Sequence, residues 1–201
     1  MRLARILAAS LVAVSLSALP ASGAPATYAQ PAQQPATTYS AAEIVGAGHQ
    51  FFGSTSGGLA TMVEKLVAQY GLPNGYVIGQ EGSGALIGGL RYGEGTIYTK
   101  LMPPRHIFWQ GPSIGWDLGG DGNRTMMLVY NLPGTDSIYR RFAGVNGSAY
   151  LVGGLGMTVL ANDGGPGRTI YVVPIRTGVG ARLGINIGYL KFTQQPTWNP
   201  F

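Results

Sequence analysis

Apolar and polar residues first follow a helical rhythm, and near residue 75 the rhythm becomes that of strands. In the stretch from Ser40 to about Phe52, Ile44, Ala47, His49, Phe51 and Phe52 are available for burial. Ser40-Ala41-Ala42-Glu43 has capping-box spacing, in which the serine hydroxyl takes one free amide and the glutamate reaches back to another. From about Gly58 to Tyr70, Leu59, Met62, Val63, Leu66 and Val67 form the stripe of a second amphipathic helix. Gly71 stands where a C-terminal glycine belongs, and Pro73 follows.

Beyond Gly75, glycine recurs every few residues and aromatic or β-branched residues fill the gaps. This texture predicts strands at about 75–81, 84–92, 95–101, 105–110, 113–119, 125–131, 149–160, 168–176 and 181–192. One helical turn over 135–142 interrupts them, with Asp136 at its start and Ile138, Tyr139 and Phe142 packing. In 113–119, Ile114, Trp116 and Leu118 share one side, while Ser113, Gly115, Asp117 and Gly119 share the other. Met126 to Tyr130 is apolar on both faces, as in a strand covered on both sides. Gly119 to Asn123 supplies the positive-φ residues of a hairpin connection. The last strand alternates as cleanly, with Gly184 and Gly188 on its sparse face. Faces bare of side chains admit a helix, a curved neighbouring strand or a ligand. Pro174 makes its strand an edge or a bulge. Repeated glycine favours curvature, and curvature closes sheets. The expected fold is mainly β (α+β): a small closed or nearly closed antiparallel β-barrel with two N-terminal helices packed on it.

The ends change this picture. Arg2 and Arg5 precede an apolar run from Ile6 to Leu19, and Pro20 breaks it before small residues, the layout of a secretory signal. That run is too short for the ~20 residues that cross a bilayer. The expected organisation is a signal peptide over 1–26, a Pro-, Gln- and Ala-rich linker over 27–38, and one domain over 39–201. Export implies the periplasm, with no membrane-spanning helix. The chain has no Cys, so disulfides, thiolate metal sites and a lipobox are excluded. Its formal charge of +5 includes the two signal arginines, and the remaining charges are scattered. Nucleic-acid surfaces need clustered cations, which argues against such a partner.

Chemical motifs mostly dissolve on inspection. Gly111-Pro112-Ser113-Ile114-Gly115 matches the nucleophile elbow G-x-S-x-G, but no helix can follow it, and both histidines, His49 and His106, precede the serine. Gly82-Ser83-Gly84 with Gly88 lacks the helix and the later acidic residue of a dinucleotide site. Asp117, Asp121, Asn123 and Asp163 are turn residues beside glycine, too few and too spread for a calcium loop. His49 reads as a packed helix residue and His106 as the polar phase of a strand. No catalytic residue, metal or cofactor is therefore expected. The aromatic set is Tyr92, Phe108, Trp109, Trp116, Tyr130 and Tyr150, all on expected strands. Most suit a core. Some can line a cavity with an arginine, Arg124 or Arg176, at its mouth, and barrels bind amphiphiles in such places. The candidate ligand-binding residues are Trp109, Trp116, Tyr130, Tyr150, Arg124 and Arg176.

GPSIGWDLGGDGNRTMMLVYNL, with YSAAEIVGAGHQFF and the ending GARLGINIGYLKFT, resembles the periplasmic envelope integrity protein A family of Gram-negative bacteria, from about Tyr39 to Pro200. More remotely, PSIGWDLGGDGNRTMMLVYN and the closing G-x-x-x-G resemble the SYLF lipid-binding domain. The resemblance implies a small periplasmic β-barrel without established catalytic activity, with a lipid or other envelope ligand. The expected role is thus support of envelope integrity by a non-enzymatic barrel that binds an amphiphile. Its rivals are a structural or protein-binding envelope factor without a small ligand, an outer-membrane barrel, and a serine hydrolase. Aromatic residues on an exposed patch, rather than in a cavity, favour protein binding.

Overall fold

The computed structural model describes residues 37–53, 57–84, 90–112, 123–162, 169–177, 188–197 and 199. The expected signal peptide, most of the linker, the strand over 113–119 with Trp116, and the first part of the 181–192 strand lie outside the described residues.

Helix α1 spans Ala41–Phe52 and starts on the expected box: Glu43 N–H donates to Ser40 Oγ, and Ser40 N–H donates to Glu43 Oε2 at 2.8 Å. Helix α2 spans Leu59–Tyr70 and ends at Gly71, whose φ of 78° suits glycine and whose N–H reaches the Val67 carbonyl. Ile44 and Phe52 of α1 and Leu59, Met62, Val63 and Leu66 of α2 are buried, whereas His49 is exposed rather than packed.

Among the described residues ten antiparallel strands follow: β1 (Gly75–Gly84), β2 (Leu90–Thr99), β3 (Arg105–Pro112), β4 (Asn123–Tyr130), β5 (Arg141–Gly144), β6 (Tyr150–Val152), β7 (Leu155–Met157), β8 (Leu160–Asn162), β9 (Ile170–Thr177) and β10 (Tyr189–Thr193). The neighbours run β4-β1-β2-β3-β10-β5-β8-β9, and β9 pairs back to β4, so the sheet closes on itself. Strands β7 and β8 continue one line along β9, with Leu155 opposite Thr177 and Leu160 opposite Val172. That register sets the gap at Thr158 opposite Pro174, which has no N–H to donate. The molecule is a closed eight-stranded barrel with two helices, and the β6–β7 hairpin extends it. Pro174 marks neither an edge nor a bulge, because β9 is paired on both sides with its register kept.

Three other boundaries differ from expectation. Residues 90–92 and 95–99, expected in two strands, belong to one strand, β2, because Gly93 and Gly95 pair in register with Trp109 and Ile107 of β3, while Gly84 ends β1. The span 149–160 turns back at Gly153-Gly154, both at positive φ, and is a hairpin. The helical turn covers only Thr135–Ile138, and Phe142 belongs to β5.

The barrel interior is filled by side chains, among them Val77, Ile107, Trp109, Met127, Val129, Phe142, Val172, Leu190 and Phe192. A second apolar layer lies outside, where Met126, Leu128, Tyr130, Val173 and Ile175 of β4 and β9 meet the two helices. β4 is thus covered on both faces, as its unbroken apolar run requires. On β1–β3 the outward positions include Gln80, Glu94 and His106. An apolar inside with a polar or helix-covered outside is the reverse of a transmembrane barrel, which needs an apolar band facing lipid. Among the described residues, no helix is long and apolar enough to cross a membrane.

Candidate functional site

Strands β1, β2 and β3 carry two constellations, one on each face. On the inner face, the alternation of β1 brings Val77, Gly79 and Glu81 inward, and that of β2 brings Arg91, Gly93, Gly95 and Ile97 inward. The Trp109 indole lies across the two glycines. A Cβ on Gly93 would sit inside the indole, and one on Gly79 would come within 2.8 Å of its Cη2. The space that glycine vacates is therefore filled by tryptophan.

Trp109 Nε1–H donates to Glu81 Oε2 at 3.0 Å. Arg176, from the inward phase of β9, grips the same carboxylate with Nε on Oε1 and Nη2 on Oε2, both at 3.0 Å. Arg91 Nη1 lies 3.1 Å from Oε1. Glu81 is 6% exposed, and both arginines are buried too. Burial pushes the Glu81 carboxyl up, but the charges of Arg176 and Arg91, with hydrogen bonds from Arg176 and Trp109, outweigh it and hold the pKa at about 2. A carboxylate so held is ionised at neutral pH, and its bonds tie β1, β2, β3 and β9 together inside the barrel.

On the outer face of the same strands, Tyr92, Phe108 and Gln110 floor an open groove of about 560 Å³, with Gln80 and Glu94 at its side. The C-terminal segment supplies a further wall through Pro196 and Thr197. This volume falls in the range of ligand clefts, roughly 300–1,000 Å³. Gln110 is 1% exposed, and its side-chain Nε2 has no hydrogen-bond partner. Glu94 and His106 Nε2 stand 3.5 Å apart on the exposed wall beside it.

Of the six residues expected from sequence to bind a ligand, the structure joins Trp109 and Arg176, through Glu81 and inside the barrel. Arg176 is engaged by that carboxylate and does not stand at a cavity mouth. Tyr130 faces outward beneath α2, its ring 5.7 Å from that of Tyr70, and burial pushes its phenol up. Tyr150 lies on β6 with Lys65 Nζ 3.3 Å from its ring centroid. Arg124 Nη1 donates to the Phe51 carbonyl at 2.8 Å, satisfying the end of α1. Trp116 lies outside the described residues. The five described positions do not converge on one site, although Trp109 also borders the groove.

Sequence reasoning missed Glu81, Arg91 and Gln110. Strand parity holds a signal for the first two: Glu81 shares its phase with Val77, and Arg91 shares its phase with Ile97, so an acid and a base fall among core residues. Gln110 carries no such signal, since its outward phase predicts exposure.

Comparison with known proteins agrees with the geometry. A crystal structure of a β-barrel-like, uncharacterised protein from Brucella abortus is 61% identical, covers 83% of this chain and all of its own, and superposes with a TM-score of 0.76. No curated protein matches. The model of the envelope integrity protein A family matches residues 37–201. The chain belongs to the envelope integrity protein A family.

Proposed function

We propose that this protein is an exported, non-enzymatic factor that supports the cell envelope by binding an envelope component in its outer groove. The family supports the envelope role, and the charge-then-apolar N-terminus supports export to the periplasm. The groove carries the binding reading: an open cleft joins two aromatic side chains to amide and carboxylate groups, and one buried amide nitrogen within it lacks a partner. The apolar part and the polar part of an amphiphilic ligand would both find matching surface there. With the interior packed by Trp109, Phe142 and Phe192, the expected ligand moves from the lumen to the outer wall. Half-exposed aromatics on a surface equally favour the rival without a small ligand, a protein-binding factor.

The test is complementation. In a strain lacking the protein, the wild type should restore resistance to detergent. A Tyr92→Ala, Phe108→Ala double variant should reach the same compartment at the same level, melt as the wild type does, and fail to restore it. Full restoration by that variant would remove the groove from the function.

A further inference from the structure

We infer that the outer groove takes a short proline-rich peptide segment in the polyproline II conformation, presented by another envelope protein. This rests on the groove being the working surface. Three features of its lining select the ligand class. First, Tyr92 and Phe108 are diagonal neighbours, since Tyr92 pairs with Gln110 and Phe108 with Glu94. Diagonal cross-strand positions lie ~7–8 Å apart. One turn of polyproline II advances ~9 Å and returns every third side chain to the same face, so successive proline rings can settle on the two aromatic rings.

Second, Gln110 places an unpartnered Nε2 donor in the floor at 1% exposure. Polyproline II makes no internal hydrogen bonds and proline has no N–H, so such a segment presents free carbonyl acceptors. An acyl chain would leave this donor unmatched.

Third, the charge of the lining is wrong for an anion. Among the described lining residues there is no lysine or arginine. Glu81 is neutralised from the inner face, which leaves Glu94 as the outward charge. An anionic lipid headgroup would meet that carboxylate without a counter-ion, whereas a lysine or arginine flanking the prolines would pair with it. The protein already sets a proline against this surface, because Pro196 of its own Gln194-Gln195-Pro196-Thr197 segment forms one wall.

The probe is a fluorescein-labelled peptide of alternating proline and alanine ending in lysine, titrated with the purified protein and followed by anisotropy. Saturable binding is expected, weaker by about tenfold or more when glycine replaces every proline. Gln110→Met, which keeps the length and removes the donor, and Tyr92→Ala should each weaken binding by about tenfold while melting stays unchanged. Phosphatidylglycerol vesicles should not compete. The inference is overturned by equal binding of the glycine peptide, by no saturable binding, by indifference to both substitutions, or by displacement with vesicles. In any of those cases the complementation result still stands by itself: a groove that matters in the cell but ignores the peptide has a different ligand class, and competing vesicles would identify it as lipid.

Discussion

Glu81 is a carboxylate sealed inside an apolar barrel, and it stays charged because two guanidiniums and an indole N–H answer it. Removing one partner of such a group leaves the others buried and uncompensated, which costs about 3–5 kcal/mol. Glu81→Gln should therefore lower stability by about that amount at neutral pH, measured by denaturant unfolding. The dependence on pH has a definite sign. The folded pKa of about 2 lies below the ordinary 4.5, so the stabilisation is complete above 4.5 and is lost as pH falls through about 2. The gap between wild type and Glu81→Gln should thus shrink by about 3 kcal/mol between pH 5 and pH 2, as proton linkage requires of a carboxyl held that far below its ordinary value. A gap constant with pH would show that the charge of Glu81 does not carry the effect. At this scale the sequence was half legible. Trp109 and Arg176 are among the ligand contacts that the sequence suggests, and both belong to the cluster; what they contact is the chain's own Glu81.

The glycines explain how strands of this composition close. Gly79 and Gly95 face one another across β1 and β2, with their Cα atoms close enough that a Cβ on Gly95 would come within 2.8 Å of Gly79 Cα. Gly93 lies under the Trp109 indole. Gly93→Val should overpack the interior and destabilise by ~1–3 kcal/mol in thermal or denaturant unfolding. Gly188, by contrast, meets among the described residues only Pro112 Cγ at 3.5 Å, an ordinary contact, so Gly188→Val should leave the midpoint nearly unchanged. Equal effects of the two would contradict the placement of the close approach. Sparse faces were legible from sequence as places of close approach. Which glycines serve it was not, because period two assigns a side to each residue and not the neighbour it meets there. The same limit applies to β6 and β7, where the double glycine at 153–154 reverses a chain that alternation alone reads as continuous.

As a whole, the molecule places its open groove on β1–β3 and its helices over β4 and β9. An envelope factor of this kind must also reach its compartment. The mature N-terminus is expected between Ala24 and Gln30, with the protein released by osmotic shock without detergent. N-terminal sequencing that found Met1 intact on a cytoplasmic protein would remove both export and the envelope role. The barrel and its two helices were legible at this scale from amphipathic period, glycine density and the motifs resembling the family. The groove was not, since it needs a C-terminal segment to lie beside strands far earlier in the chain, as Pro196 does beside Tyr92 and Phe108.

By itself the sequence determined what is local: the capped start of α1, the stripe of α2, the strand texture beyond Gly75 and the two-faced burial of β4. These follow from periods of 3.6 and two and from capping chemistry, which act over a few residues. Only the tertiary structure decided which side chains meet. Glu81 finds Arg91 on the next strand and Arg176 across the closed ring, because β9 returns to β4 and β4 lies beside β1. It also decided that the interior is packed, and that Gln110, polar and outward, is buried in the groove with its Nε2 unpartnered. The physical reason is that strand parity gives each side chain a side, while its partners depend on the order in which distant strands join the barrel.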